Sequence, residues 1–399
     1  MINNLLANSV HVEKEDELIE SLKSGRKLRV KFGIDPSAPD IHLGHSVVLN
    51  KLREFQKAGH TAVLIIGDFT ARIGDPTGKS ETRKSLSEEE VNHNAQTYLE
   101  QVFTILDKET TEVRYQSEWF GGMGLAEVLK LAGTTTVAQL LQREDFSKRT
   151  AEMQPIGLHE FLYPLLQGYD SFAIQSDLEL GGTDQLYNLL FARDLQKTLG
   201  DEPQQIMTMP LLIGLDGSQK MGKSLNNYIG VTDNPSEMYG KIMSIPDSLI
   251  LDYFRLVSDA SGDEIREVEE VLSQGENPKI SKMLLAKNIV KLFHSSIEAQ
   301  AAEDAFVKQF QKKETPSEIK VFENGKLLQK RTVAEAIFIM GLAESKGDAR
   351  RLVAQNGVRL NGVTQQNSQE TYSPNKDDIW QVGKRKFMKI GELARTIFD

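Results

Sequence analysis

Between Lys27 and Gly67 the chain alternates in a way that leaves few folds open. Lys27-Leu28-Arg29-Val30-Lys31-Phe32-Gly33-Ile34 reads as a strand and runs into the turn Asp35-Pro36-Ser37-Ala38-Pro39-Asp40. A helical period follows from about Gly44 to Ala58, with Val47, Val48, Leu52 and Phe55 on one face and Gly59 as the stop signal. Thr61 to Gly67 is then a second strand. Strand, loop, helix, strand makes a βαβ unit and implies a parallel sheet. The loop falls at the carboxyl end of the first strand, where open α/β sheets bind ligands.

The pattern continues downstream. Ser87 and Glu90 have the spacing of a reciprocal helix cap, and helices are expected over about 88–106 and 124–131. A strand around Ser176 to Gly182, a helix through Leu199 and a last strand from Gln205 to Gly214 complete the α/β part. From Asn234-Pro235 to about Gln311 the apolar spacing is helical throughout, as in Leu249, Ile250, Tyr253, Phe254 and Val257. Lys312 to Lys320, with Thr315-Pro316-Ser317, reads as a linker, and a compact module follows from about Lys330. The expected organisation is therefore a parallel-sheet α/β domain over 1–232, an all-helical domain over 233–320 and a small α+β domain over 330–399.

Composition removes whole classes of chemistry. The chain has no cysteine, which excludes disulfides, thiolate zinc sites, iron–sulfur clusters and cysteine nucleophiles. Its first residues lack a basic n-region and an apolar stretch of export length. The strongest apolar run, Ala62 to Gly67, is far short of the ~20 residues that span a bilayer. A cytoplasmic protein without membrane contact is expected. Charge is uneven: residues 330–399 hold 12 Lys/Arg and 8 Asp/Glu, a net of +4, against −14 for the rest of a chain whose total is −10. A basic end on an acidic body points to contact with a polyanion, or is an ordinary solvated domain.

Three segments carry chemistry. His42-Leu43-Gly44-His45 sits at a helix start directly after a strand. Unpaired N–H groups and positive potential there suit a nucleotide phosphate, and the glycine leaves room for an adenine ring. A His-x-x-His pair by itself more often caps a helix or holds a metal; the strand–Asp-Pro–helix setting favours the nucleotide. Lys220-Met221-Gly222-Lys223-Ser224 places two lysines on a glycine-containing loop, able to converge on one ligand's phosphates. Asp75-Pro76-Thr77-Gly78-Lys79-Ser80-Glu81-Thr82-Arg83 has glycine before lysine but not the spacing of a P-loop, so a P-loop NTPase is rejected.

Taken together, His-Leu-Gly-His and Lys-Met-Gly-Lys-Ser resemble the HIGH and KMSKS signatures of class I aminoacyl-tRNA synthetases, with glycine in place of the KMSKS serine. Asp35-Pro36-Ser37, Gly74-Asp75-Pro76-Thr77-Gly78-Lys79, Tyr163-Pro164-Leu165-Leu166-Gln167-Gly168-Tyr169-Asp170 and Gly181-Gly182-Thr183-Asp184-Gln185, in that order, resemble the bacterial tyrosyl-tRNA synthetase family. The resemblance covers essentially the whole chain, including the basic module.

The resemblance implies a Rossmann-like catalytic domain, an anticodon-side helical domain and an RNA-binding module of the ribosomal-protein type. It implies tyrosine–tRNA ligase activity, with L-tyrosine, ATP and tRNA(Tyr) as partners and a homodimer as the assembly. Mg²⁺ is expected to arrive with ATP, without a tightly bound cofactor; no Asp/Glu cluster marks a protein-held metal site. Asp75, Tyr163 and Gln167 match positions holding the substrate ammonium, and Asp170 the acceptor of the phenol hydroxyl. Gly33, Asp35 and Gln185 match further positions at the tyrosine site. Ser37, His42, Gly44, His45, Asp184, Lys220 and Lys223 match positions around ATP, His42 and His45 being catalytic positions as well. Lys79, Arg83, Lys220 and Lys223 match cations that hold the departing pyrophosphate. In the terminal module Lys346, Arg350 and Arg351 are the expected RNA contacts. Two positions depart from the common pattern: Lys31 stands where many members have a tyrosine, and Glu179 where a glutamine is frequent. A lysine at position 31 either donates to the phenol oxygen or points to solvent.

Overall fold

The computed structural model of the protein describes residues 2–37, 39–75, 86–310, 319–383 and 386–391. Its contacts divide it into two compact units, Met1–Ala302 and Glu303–Asp399.

Unit one is built on a six-stranded sheet: β1 His11–Glu13, β2 Arg29–Ile34, β3 Thr61–Ile66, β4 Thr111–Tyr115, β5 Leu178–Gly182 and β6 Gln205–Met209. The order is β1-β6-β5-β2-β3-β4, parallel except for β1, a three-residue edge strand antiparallel to β6. From β2 the chain winds outward through β3 and β4, then returns to the other side of β2 for β5 and β6. The seam between β2 and β5 is thus the point where strand order reverses, and a ligand crevice opens at such a seam. β3 is a continuous apolar run, as a strand covered on both faces requires. β6 stops at Met209 rather than continuing to Gly214, because Pro210 has no N–H to give the ladder.

Four helices frame the seam. α1, Leu43–Lys57, buries Val47, Val48, Leu52 and Phe55 and ends before Gly59, whose φ of 96° suits glycine. α2, Glu88–Val102, starts with the expected reciprocal cap, Ser87 to Glu90 N–H and Glu90 to Ser87 N–H. α3, Leu162–Ala173, and α4, Leu186–Thr198, pack tightly on one another. A Cβ on Gly168 would lie 3.0 Å from Leu195 and 3.2 Å from the Ala192 backbone, so the close approach depends on that glycine.

The region after the sheet is helical, as its periodicity predicts: Pro235–Met243, Ile250–Val257, Gly262–Ser273, Pro278–Phe293 and Ser296–Phe310. The helix Ile250–Val257 packs on α1, and its Tyr253 donates to the Ile213 carbonyl at 2.7 Å. Residues 311–318, most of the expected linker, lie outside the described residues.

Among its described residues unit two includes the helices Val333–Ile339 and Lys346–Ala354, with a small mixed sheet that includes Val358–Leu360, Ile379–Val382 and Lys386–Ile390. Its core gathers on Trp380, which meets Tyr372 edge-on at 4.8 Å, with Val333, Ile337, Val353 and Val358 around it. Among the described residues no helix is long and apolar enough to cross a membrane.

Candidate active site

A cavity of about 380 Å³ opens over the β2–β5 seam. Every site residue expected in unit one and described by the structure lines it, except Lys223. Lys79 and Arg83 lie outside the described residues.

One end of the cavity is a carboxylate network. Asp35, directly after β2, accepts from the Tyr163 hydroxyl at 2.8 Å and from Thr70 Oγ1 at 2.6 Å. Gly67 leaves room for it: a Cβ there would stand 2.2 Å from Asp35 Oδ1. Burial, then the charges of Asp35 and Asp75, hold the Tyr163 phenol well above its ordinary value, so it stays protonated and donates. Asp75 accepts from Arg143 Nη2 at 3.0 Å and from Gln185 Nε2 at 2.9 Å. Gln167 Oε1 is buried in the wall with no hydrogen-bond partner among the described residues, an acceptor waiting for a donor. Gly33, at the end of β2, meets nothing within 4 Å of where its Cβ would be, which keeps the floor open.

Deeper in the wall lies Asp170, 2% exposed on α3. Its Oδ2 accepts from Gln116 Nε2 at 2.8 Å and its Oδ1 from Trp119 Nε1 at 3.1 Å. The Gln116 amide is oriented by its other end, since Oε1 takes the Thr70 backbone N–H at 2.9 Å. Burial pushes Asp170 up to about 7, against Lys31 and the Gln116 hydrogen bond.

Lys31 takes neither course expected of it. It is fully buried and paired with Glu179 at 2.9 Å, its partner across the β2–β5 ladder. The two departures from the family pattern are therefore one feature.

At the other end, His42 caps α1. Its Nδ1 accepts from Gly44 N–H at 3.1 Å, and its own N–H meets His45 Nδ1 at 3.3 Å. The rings lie 4.0 Å apart. Burial first, then His45 and Lys223, lowers His42 to about 2; burial and Lys223 lower His45 to about 4. Both imidazoles are neutral near pH 7. Space over Gly44 is taken by the His42 ring, 2.9 Å from where a Cβ would sit. Ser37 lies in the turn leading to the cap, its N–H on the Asp35 carbonyl at 2.7 Å.

The lysine loop closes over this end. Asn227, buried, donates to the Lys220 carbonyl at 3.1 Å and accepts from Gly222 N–H at 2.8 Å, stapling the loop's two sides. Lys220 pairs with Asp184 at 2.7 Å, and Lys223 donates to the Asp40 carbonyl at 2.5 Å. Leu43 N–H reaches the Ile229 carbonyl at 3.0 Å, so the histidine and lysine segments are joined through their backbones. Two cations thus rest on nearby acceptors beside the start of α1, whose first N–H groups are already taken by Ile229 and His42.

Residues 23–311 match the family described as tRNA synthetases class I (W and Y). The chain belongs to this family. The tyrosine–tRNA ligase of Thermotoga maritima is 52% identical over 387 residues, 97% of this chain and 96% of that protein. That of Haemophilus influenzae is 48% identical over 394 residues, 98% and 97% of the two chains. The tyrosyl-tRNA synthetase of Archaeoglobus fulgidus, solved with L-tyrosine, is 25% identical and matches with a TM-score of 0.61 over 76% of this chain and 98% of that one.

Several residues of this class I synthetase's cavity escape a reading by motif. Gln116 and Trp119 follow β4, whose Thr111-Glu112-Val113-Arg114-Tyr115 holds the alternation and β-formers that mark a strand. Functional groups at the carboxyl end of such a strand are the signal that was available. Arg143, Thr70 and Asn227 carry no local signal. In unit two, Lys346 pairs with Glu335 at 2.9 Å and Arg351 with Asp348 at 2.6 Å, while Arg350 is exposed on the same helix. Among the described residues no group of three or more His, Cys, Asp or Glu is placed to hold a metal ion.

Proposed function

We propose that this chain is a tyrosine–tRNA ligase: it joins L-tyrosine to ATP as tyrosyl-adenylate, releasing pyrophosphate, and then passes the tyrosyl group to the 3′ end of tRNA(Tyr). Family membership and near-full-length relatives carry the class. The single observation that supports tyrosine as the amino acid is Asp170, a buried carboxylate held by two donors in the wall of the cavity. A ring hydroxyl meeting it gives the carboxylate a further donor that phenylalanine cannot supply.

In this reading Tyr163, Gln167 and Asp75 receive the ammonium group, Gln167 through its partnerless oxygen. Gly33, Asp35 and Gln185 shape that end. Ser37, His42, Gly44, His45 and Asp184 form the ATP side, where neutral imidazoles donate hydrogen bonds without adding charge. The substrate carboxylate attacks the α-phosphorus, the bond to the β-phosphate oxygen breaks, and negative charge builds on pyrophosphate. No protein nucleophile is needed, so rate comes from positioning and from Lys220, Lys223, Lys79 and Arg83. Lys220 and Lys223 exchange Asp184 and Asp40 for phosphate oxygens. Mg²⁺ comes bound to ATP.

Residues to 232 carry this chemistry, residues 233–320 serve the anticodon side, and residues 330–399 bind RNA through Lys346, Arg350 and Arg351. Contacts there are directed mainly at phosphates and are salt-sensitive. A homodimer forms through the surface bearing Leu125, Leu129, Val137 and Leu158, apolar side chains that are 63–80% exposed. The enzyme works with the translation apparatus in the cytoplasm. Incubation with ATP, bulk tRNA and labelled amino acids tests the reading: tyrosine should enter the tRNA fraction, and entry of tryptophan instead contradicts it.

A further inference from the structure

Lys31 and Glu179 face each other across the seam where strand order reverses, both fully enclosed. A buried pair of opposite charges persists only where further hydrogen bonds satisfy it. Here they do. The three ammonium protons go to Glu179 Oε1 at 2.9 Å, Ser171 Oγ at 2.7 Å and the Gln167 carbonyl at 3.0 Å. Glu179 Oε2 accepts from Ser171 Oγ at 3.0 Å and from Gln204 Nε2. No proton of Lys31 remains for a ligand.

What the pair grips is one turn of α3. Gln167 and Ser171 are four residues apart on one face, and Asp170 lies on the same turn. Gln116 and Trp119 hold the Asp170 carboxylate from the other side. The direction in which Asp170 and the Gln167 amide enter the cavity is thereby fixed from the sheet side by Lys31 and Glu179. Aliphatic side chains at these positions fill space but give no directional hold on the helix.

We infer that Lys31 and Glu179, of which Glu179 also borders the cavity, are a positioning pair for recognition of the substrate's ring hydroxyl and ammonium, acting through the Gln167–Ser171 turn. The inference rests on the reading of the cavity as the tyrosine site.

Steady-state ATP–pyrophosphate exchange on the full chain tests it with two variants. K31M/E179Q removes both charges together and strands neither. Ser171→Ala keeps the ion pair and removes its link to the helix. The KM for tyrosine should rise about tenfold in the first and about threefold in the second, with the KM for ATP within about twofold of the parent. Preference for tyrosine over phenylalanine should fall in step. A purely structural pair lowers the melting temperature and moves both KM values alike, or neither; that result overturns the inference. Should K31M/E179Q fail to fold, the Ser171→Ala values decide alone, and parent-like tyrosine KM and discrimination there overturn it. Absence of tyrosine-dependent exchange in the parent is a separate result, which removes the reading of the site and this inference with it.

Discussion

Gln116 Nε2 stands 2.8 Å from Asp170 Oδ2, and the same amide's oxygen is fixed by the Thr70 backbone N–H at 2.9 Å. The proposed hydroxyl acceptor is thus held by a residue that lies outside every signature motif. Losing a buried hydrogen bond to a charged group costs about 1.5–3 kcal/mol. Gln116→Leu should therefore raise the KM for tyrosine by about 10- to 100-fold and weaken rejection of phenylalanine. Binding of tyrosine at parent strength in that variant, read by fluorescence titration, contradicts the assignment.

The acidity of Asp170 gives a pH signature. Burial raises it to about 7, Lys31 and the Gln116 bond pull it down, Glu179 pushes it up and the Trp119 bond pulls it down. In the proposed role the ionised form accepts a hydrogen bond from the hydroxyl. For tyrosine, kcat/KM should decline as pH drops below about 7, while for phenylalanine, which has no hydroxyl to offer, it should change little. His42 and His45 are held too low to add a break in that range. Stability runs the other way. Because the folded value lies above the ordinary 3.8, this group's contribution is complete below that pH and is lost as pH rises through about 7. Parallel kcat/KM profiles for the two amino acids contradict the role given to Asp170.

Lys223 donates to the Asp40 carbonyl at 2.5 Å and does not line the cavity. A cation that engages only as charge builds on pyrophosphate acts on the transition state. Lys223→Ala should slow adenylate formation by about 10²-fold or more in single turnovers and leave the Kd for tyrosine within about twofold. An equal loss in rate and in tyrosine binding argues for a ground-state role.

The basic unit should serve tRNA alone. Every group placed around the cavity belongs to unit one. A chain ending at Glu318 is expected to keep tyrosine-dependent pyrophosphate exchange and to charge tRNA poorly. Full charging by that shortened chain refutes the division of labour.

Much of this was legible in the residues. The strand through Ile34, the helix from His42 and the strand Thr61–Ile66 follow from local alternation and capping, and they place the crevice. Most of the signature segments come together over the seam because they follow the carboxyl ends of strands; Tyr163 to Asp170 reaches it from α3 instead. What the residues withheld was pairing across long sequence separations. Lys31 and Glu179 each look like an oddity in isolation; only the β2–β5 register joins them. Arg143 reaches Asp75 across 68 positions, and no periodicity encodes that contact. β1 is three residues long, too short for alternation to mark it.

ATP–pyrophosphate exchange with each of the twenty amino acids in turn tests the central claim most directly, because it reads adenylate formation without tRNA. L-tyrosine should support exchange, with phenylalanine and tryptophan at background. Exchange driven by tryptophan and not by tyrosine would contradict the account of Asp170 and of the cavity built around it.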